Sequence, residues 1–325
     1  MAHKRPLQTF DMFCGGGGSS RGALMAGAHP VAALDMWRLA ADSYSLNFPD
    51  AKIYQKRADE VSPRRVLEDA GEIDLLLASP ECTSHSVAKG NKPRCEISRA
   101  TAFEVIRFAK VLRPRWIVVE NVMQMQNWNR FKEWRDGLES LGYQTKVGIL
   151  DAHYHGTPQS RRRLFVVCDL EREPNLPNPG TPTTKTVRNS VLGRGEPCDG
   201  GWRFSKVDGP RRAKATIERA NRAIEALGRK SPFIMVYYGT DGAGGFQPLD
   251  RPLRTITTLD RFAYVRPNGS GHEMRMLQPP ELAAAMGFPE SHKWAESSRR
   301  ERIKLIGNAV CPRVMRDVVR ALTGN

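Results

Sequence analysis

Through its first 168 residues the chain alternates short apolar runs with segments of helical periodicity, and few folds accommodate that alternation. Leu7 to Phe13 reads as a strand, followed at once by glycines, and Ser19 to Ala26 reads as a helix with a serine cap. Val31 to Leu34 is a second strand, ending at Asp35. Ile73 to Ala78 is apolar almost throughout, the pattern of a strand buried on both faces. Ala100 to Leu112 carries Phe103, Ile106, Phe108, Ala109 and Leu112 at spacings that suit a helix. Trp116 to Val119 and Leu164 to Cys168 are further buried strands. Strands separated by helices predict an α/β, Rossmann-like, doubly wound and mostly parallel sheet.

The composition changes after Asp169, where Pro174, Pro177, Pro179 and Pro182 mark a linker or the start of another domain. Ala213 to Leu227 reads as a helix with one buried stripe, Phe233 to Tyr238 as a strand, and Gly239 to Gly245 as a glycine-rich loop. Arg313 to Leu322 reads as a helix able to return to the first domain. The net charge is +15, from 50 basic and 35 acidic residues, which points to a polyanionic partner. No apolar run approaches the roughly 20 residues of a membrane span, so no membrane insertion is expected. Met1 to Pro6 lacks the apolar stretch of a signal peptide. The six cysteines include no Cys-x-x-Cys pair. That spacing disfavours a zinc ribbon, and no metal is expected. The thiols are expected to be reduced.

Strand, glycine loop and helix together form a ligand cradle. Glycines adopt positive φ and let a backbone approach a ligand closely, and the helix N-terminus offers free amide donors. Asp35, ending the second strand, suits ribose hydroxyls. On these residues alone, a dinucleotide and S-adenosylmethionine are both open. Cys82, in Ser79-Pro80-Glu81-Cys82, lies just beyond the carboxyl end of a buried strand, where ligands bind in open α/β sheets. Its thiol would need help to ionise at neutral pH. Glu120 ends another buried strand, and burial there would keep its carboxyl protonated, a donor to a ring nitrogen. Arg161 and Arg163 alternate, so on an extended chain they share one side and suit a carbonyl oxygen and a phosphate.

With these segments in this order, the sequence strongly resembles the cytosine-5 DNA methyltransferase family over nearly its whole length. Asp11-Met12-Phe13-Cys14-Gly15-Gly16-Gly17-Gly18 resembles the first cofactor motif, which assigns Phe13, Gly15, Gly16 and Gly18 to the cofactor. Asp35-Met36 resembles the ribose acid and the residue beside the adenine, and Asp59 the acid near the adenine amino group. Cys82 matches the nucleophile, Glu120-Asn121-Val122 the Glu-Asn-Val motif, and Tyr154 to Arg163 the segment ending Gln-x-Arg-x-Arg. Arg251 to Thr258, Met286-Gly287-Phe288-Pro289 and Gly307-Asn308-Ala309-Val310 resemble the later motifs, with Asn308 and Val310 closing the cofactor pocket. The departures surround the nucleophile: Glu81 separates Pro80 from Cys82, Thr83 stands where the family has Gln, and His85 where Phe is common. A carboxylate facing the sulfur would raise the thiol pKa, so Glu81 is expected to point away.

The resemblance implies S-adenosylmethionine as cofactor, double-stranded DNA as partner, and Cys82, Glu120, Arg161 and Arg163 as catalytic residues. It implies a catalytic domain of residues 1–168 with 296–325 and a target-recognition domain of 169–295. Residues 84 to 98 resemble a loop that closes over DNA, offering Lys89, Lys92, Arg94 and Arg99 to phosphates. Trp202, Arg203, Lys206 and the Gly239–Gly245 loop are candidates for groove contacts. A monomer in the bacterial cytoplasm or a phage-infected cell, associated with the nucleoid, is expected. The alternatives are a tRNA cytosine methyltransferase, an inactive DNA-binding relative disabled by Glu81, and transfer of another alkyl group. A nicotinamide oxidoreductase would have no use for Cys82, Glu120 and Arg163.

Overall fold

A computed structural model describes residues 5–80, 96–198, 201–238, 244–269 and 271–324, with the side chains of 96–100 undescribed. The first part of the chain runs β1 (Gln8–Met12), α1 (Gly18–Met25), β2 (His29–Leu34), α2 (Arg38–Ser45), β3 (Lys52–Tyr54), α3 (Pro63–Ala70), β4 (Leu75–Ala78), α4 (Glu96–Leu112), β5 (Trp116–Asn121), α5 (Phe131–Glu139), β6 (Gln144–Asp151) and β7 (Arg162–Asp169). It continues through α6 (Val187–Ser190), β8 (Ser205–Lys206), α7 (Lys214–Leu227), β9 (Phe233–Val236), β10 (Phe246–Pro248), β11 (Phe262–Asn268) and β12 (Gly271–Met276). Three helices follow, α8 (Pro279–Ala285), α9 (Arg299–Asn308) and α10 (Pro312–Thr323).

The main sheet has seven strands in the order β3-β2-β1-β4-β5-β7-β6. β1 to β5 pair in parallel, whereas β7 runs antiparallel to both of its neighbours. The fold class is therefore as the apolar pattern predicts. Both faces are covered because successive side chains of a strand alternate. Leu75, Leu77, Trp116 and Val118 enter the core beneath α1 and α10, while Leu76, Ala78, Ile117 and Val119 enter the core that holds Phe108 of α4 and Trp134 of α5. Because β7 is reversed, its first residues lie level with the last residues of β5, with Asn121 opposite Leu164 and Glu120 opposite Phe165.

The second sheet, β10-β9-β11-β12-β8, is antiparallel. Phe233, Met235, Ala263 and Val265 form a small core with Ala220 and Ala223 of α7, and Ile234, Val236 and Phe262 face the core of the main sheet. Val187, Val191, Leu277, Leu282 and Met286 also join the main core. In sequence the strands of the second sheet run from Ser205 to Met276, and its edge strands are β10 and β8. The last helix returns to the first, with Gly22 of α1 so close to α10 that a Cβ there would lie 2.6 Å from that of Met315.

One local expectation is overturned. The N-terminus of α1 has no serine cap; Gly17, at φ +80°, occupies the cap position. Ser19 and Ser20 lie inside the helix, and Ser20 instead faces the buried Asp11, whose Oδ2 accepts from the Ser20 hydroxyl (2.7 Å) and amide (3.2 Å). The hydroxyls of Ser20 and Tyr44 are 2.8 Å apart. A carboxylate at a helix N-terminus meets its positive end, but burial outweighs this and pushes the Asp11 carboxyl up to about 7. On the other side of the glycine turn, His292 lies buried with Nε2 2.9 Å from the Gly16 carbonyl, and burial lowers its imidazole to about 4. The neutral ring must carry its proton on Nε2 to donate there.

These two groups pull stability in opposite directions. Between about pH 4 and 7 folded Asp11 keeps a proton that the unfolded chain releases, so its contribution falls as pH rises. Between about pH 4 and 6.5 folded His292 refuses a proton that the unfolded chain takes up, so its contribution grows as pH rises. Asp11→Asn removes the falling component and is expected to steepen the gain in stability from pH 5 to pH 7, by on the order of 1–3 kcal/mol. Urea midpoints of both proteins at the two pH values measure this; parallel profiles would count against it.

Candidate active site

The carboxyl ends of β1, β2, β4 and β5 lie along one edge of the main sheet, as parallel pairing requires. Beyond β1 the chain turns sharply. Phe13 has φ +59°, unusual for a residue with a Cβ, and Gly15 has φ +51°. The Cys14 amide donates to the Leu34 carbonyl at 3.1 Å and the Gly15 amide to Asp35 Oδ2 at 2.9 Å, which ties the turn to the end of β2. Asp35 Oδ1 accepts from the Trp37 amide at 2.8 Å, and burial raises the Asp35 carboxyl. A Cβ built on Gly15 would meet nothing within 4 Å, whereas one on Gly18 would collide with the Val310 carbonyl. The loop is therefore open at Gly15 and closed at Gly18 by the segment that follows α9. Met36 is exposed beside Asp35, Asn308 is exposed at the end of α9, and Val310 is buried. Asp59 stands in a 3-10 turn after β3, where Arg57 donates to it at 3.0 and 3.1 Å and holds its carboxyl below the usual range.

Glu120 is buried at the end of β5. Because β7 runs backwards, Arg163 meets it there, with Nε 3.3 Å from Glu120 Oε1. Burial raises the Glu120 carboxyl, and Arg163 and then Arg161 offset part of that rise. Both arginines line one small cavity of about 10 Å³ with Glu120 and Cys311. Their partners differ. Arg161 is buried and donates to the carbonyls of Ile256 (2.8 Å), Gly307 (2.9 Å) and Ala309 (3.2 Å). Those bonds commit its guanidinium to backbone, which leaves Arg163 as the arginine placed against the acid. Asn121 donates to the Pro80 carbonyl at 3.2 Å while its own Oδ1 accepts from the Val122 amide at 2.8 Å. The strand end that carries Glu120 thus anchors the backbone two residues before Cys82.

Cys82 itself, Glu81, Thr83, His85, Lys89, Lys92 and Arg94 lie outside the described residues, as does most of the Gly239–Gly245 loop. Arg99 lies in α4. Trp202 stacks with Arg275, whose Cζ is 4.5 Å from the ring centroid, and Arg203 and Lys206 are exposed. Sequence reasoning missed the residues that brace the glycine loop from behind. Trp294 packs on Gly16, with a Cβ there 2.7 Å from the ring, and His292 holds the Gly16 carbonyl. Asn47 exchanges hydrogen bonds of 2.7 and 2.9 Å with the backbone of Lys293. A lone histidine and tryptophan some 276 positions away carry no local signal of such contacts. Among the described residues no group of three or more His, Cys, Asp or Glu side chains could hold a metal ion.

Comparison with known proteins gives the same reading. The chain is 31% identical to the type II methyltransferase M.HgiDI of Herpetosiphon aurantiacus, over 94% of this chain and 90% of that protein. It is 29% identical to the type II methyltransferase M1.HphI of Haemophilus parahaemolyticus, over 97% and 86%. In fold it is similar to Entamoeba histolytica methyltransferase EhMeth, with a TM-score of 0.71 at 17% identity over 99% of each chain. It is also similar to a Spodoptera frugiperda DNMT2 variant, with a TM-score of 0.68 at 17% identity over 98% and 99%. The family model for C-5 cytosine-specific DNA methylases matches residues 7–324. The chain belongs to the C-5 cytosine-specific DNA methylase family and is an enzyme of that class.

Proposed function

We propose that the protein methylates carbon 5 of cytosine in duplex DNA, using S-adenosylmethionine and covalent attack by Cys82 on a flipped-out base. The observation that carries this is the pairing of buried Glu120 with Arg163 at a strand end whose Asn121 anchors Pro80. The glycine turn fits the cofactor: Gly15 opens onto unfilled space beside Asp35, and Gly18 is closed by Val310. Phe13, Gly15, Gly16, Gly18, Asp35, Met36, Asp59, Asn308 and Val310 would hold it. When bound, S-adenosylmethionine supplies an electrophilic methyl group.

The residues of the chain do the rest. Carbon 5 of cytosine is a weak nucleophile. The Cys82 thiolate bonds to carbon 6, and Glu120, whose carboxyl burial raises above its ordinary value, hydrogen-bonds ring nitrogen 3 and steadies the charge that builds there. Carbon 5 becomes enamine-like and takes the methyl group. Loss of the carbon 5 proton and of Cys82 restores the ring. Arg163 holds Glu120 and the base carbonyl on one side, and Arg161 positions both pockets by clamping the segments before Thr257 and around Asn308. Extruding the base costs a few kcal/mol, which the basic surface offsets through phosphate contacts. Residues 169–295, built on the second sheet, are assigned the role of target recognition. We assign the enzyme to a restriction-modification setting, following its type II relatives, and read it as a monomer of the bacterial cytoplasm.

Tritiated-methyl S-adenosylmethionine with unmethylated duplex DNA, and with tRNA as the alternative substrate, tests this directly. Label in 5-methylcytosine of DNA is expected; label in tRNA alone would overturn the DNA assignment. Cys82→Ala is expected to abolish transfer with cofactor affinity retained by calorimetry, and undiminished transfer would remove Cys82 from the mechanism. Glu120→Gln is expected to lower kcat by about 10²–10⁴-fold.

The two arginines separate in a second measurement. Arg161→Ala strands buried carbonyls and is expected to cost about 2–4 kcal/mol in urea denaturation. Arg163→Ala is expected to lower kcat with less than about 1 kcal/mol of lost stability. Equal stability losses would refute the division of roles.

A further inference from the structure

Four glycines in a row, Gly15 to Gly18, make a turn that cannot hold its own shape. Glycine loses more backbone freedom on ordering than any other residue, so whatever keeps this turn in one conformation has to come from outside it. Part of the restraint comes from the end of β2, through Leu34 and Asp35. The rest comes from chain 276 positions further on. The peptide unit between Gly16 and Gly17 is fastened on both sides. The Gly17 amide donates to the Cys14 carbonyl at 2.8 Å. The Gly16 carbonyl, which points the other way in the same trans unit, accepts from Nε2 of His292 at 2.9 Å. Rotation of that unit breaks both bonds. Trp294 closes the flank, so near that a Cβ on Gly16 would lie 2.7 Å from its ring.

The imidazole that makes this bond is itself fixed. His292 is buried, and its ring packs against those of Phe288 and Trp294, with centroids 4.5 and 4.7 Å away. The chain between α8 and α9 that carries these rings has no helix or strand to stiffen it. Side-chain clamps do so instead. Asn47, just after α2, meets both backbone groups of Lys293: its Nδ2 donates to the carbonyl at 2.7 Å and its Oδ1 accepts from the amide at 2.9 Å. The Ala295 amide donates to Ser43 Oγ at 3.1 Å, and the Ala295 carbonyl accepts from Arg302 at 2.7 Å. Arg21 donates to Asn47 Oδ1 at 3.2 Å, which ties the clamp back to α1, the helix that follows the glycine turn. Lys293 is exposed between inward-facing His292 and Trp294, as alternate positions of an extended chain require.

Taking the turn as the S-adenosylmethionine site of the proposed function, we propose that His292, braced by Trp294 and clamped through Asn47, is a positioning residue for the methyl donor. It holds the Gly16–Gly17 peptide in place before the donor arrives and acts only through that peptide. A turn ordered in advance spares the ligand the entropy of ordering it, so freeing one peptide unit lowers affinity about tenfold.

Binding of S-adenosylmethionine to the full chain, followed by isothermal calorimetry without DNA, tests this. His292→Leu removes the donor, whereas His292→Gln keeps an N–H near the place of Nε2. The leucine variant is expected to raise Kd about tenfold at wild-type stoichiometry, and the glutamine variant to recover most of that loss. Asn47→Ala releases Lys293 without touching the imidazole, and is expected to raise Kd in the same direction by about threefold. A brace needed only for folding behaves differently: it lowers the fraction of molecules able to bind and leaves Kd unchanged in the remainder. Reduced stoichiometry at wild-type Kd, wild-type Kd in a folded His292→Leu, or a glutamine variant as weak as the leucine one overturns the proposal. If His292→Leu does not fold, Asn47→Ala decides, and wild-type Kd there overturns it. A wild-type protein that binds no S-adenosylmethionine overturns the cofactor reading of the turn, and this inference with it, whereas the variant outcomes bear on His292 alone.

Discussion

Three carbonyls from two distant parts of the chain converge on one buried guanidinium, and the rest of the site is arranged around it. Arg161 reaches Ile256 on the approach from the second sheet, and Gly307 and Ala309 on either side of Asn308. A backbone carbonyl buried without a donor costs stability, so the segments cannot separate from Arg161 without penalty. Gln159 repeats the pattern one turn of extended chain earlier, accepting from the Ile256 amide at 3.1 Å and donating toward Met286. The acid pocket, the segment that closes the glycine loop and the second sheet are therefore registered to a single short stretch, Gln159 to Arg163. The direction of β7 makes this possible. A parallel strand in that position would carry the arginines to the opposite edge of the sheet, away from Glu120.

Much of this was legible in the sequence, and for a physical reason. β4 and β5 are buried on both faces, so their apolar runs are unmistakable, and residues just past their carboxyl ends must lie on the ligand edge. The glycine turn announces itself because Gly15 and Gly17 occupy positive φ that side chains disfavour. β6 went unread. It sits at the sheet edge with most of its residues half-exposed, so it lacks both the apolar run of a central strand and a clean alternation. The division of labour between Arg161 and Arg163 was hidden as well. The two look equivalent in sequence, and only the long-range carbonyls tell them apart. The serine cap expected at the start of α1 illustrates the same limit: the helix begins one residue before Ser19, with Gly17 at the cap, and the neighbouring Ser20 bonds to Asp11, nine residues earlier.

The site also concentrates groups whose charge states work against burial. Asp11, Asp35 and Glu120 all lie on or beneath the ligand edge, and burial raises each of them. Such groups are poor contributors to stability and are usual where a protein must present a proton or a specific hydrogen-bond acceptor. His292 is tuned the other way, neutral and committed to the Gly16 carbonyl. His292 therefore holds the Gly16 carbonyl as a neutral ring near neutral pH, whereas Asp11 beneath the same turn changes its charge there.

The wall of the glycine loop bears on how such a protein is made. Gly16 rests on His292 and Trp294, and Gly18 on Val310, so the turn is completed by residues translated nearly three hundred positions after it. On the ribosome the first strands can pair and bury their apolar faces, yet the loop stays open on one side until that late segment emerges. Arg161 waits for the same segment to supply two of its three acceptors. A nascent chain thus has Glu120 and the glycine turn long before it has the wall that completes that turn.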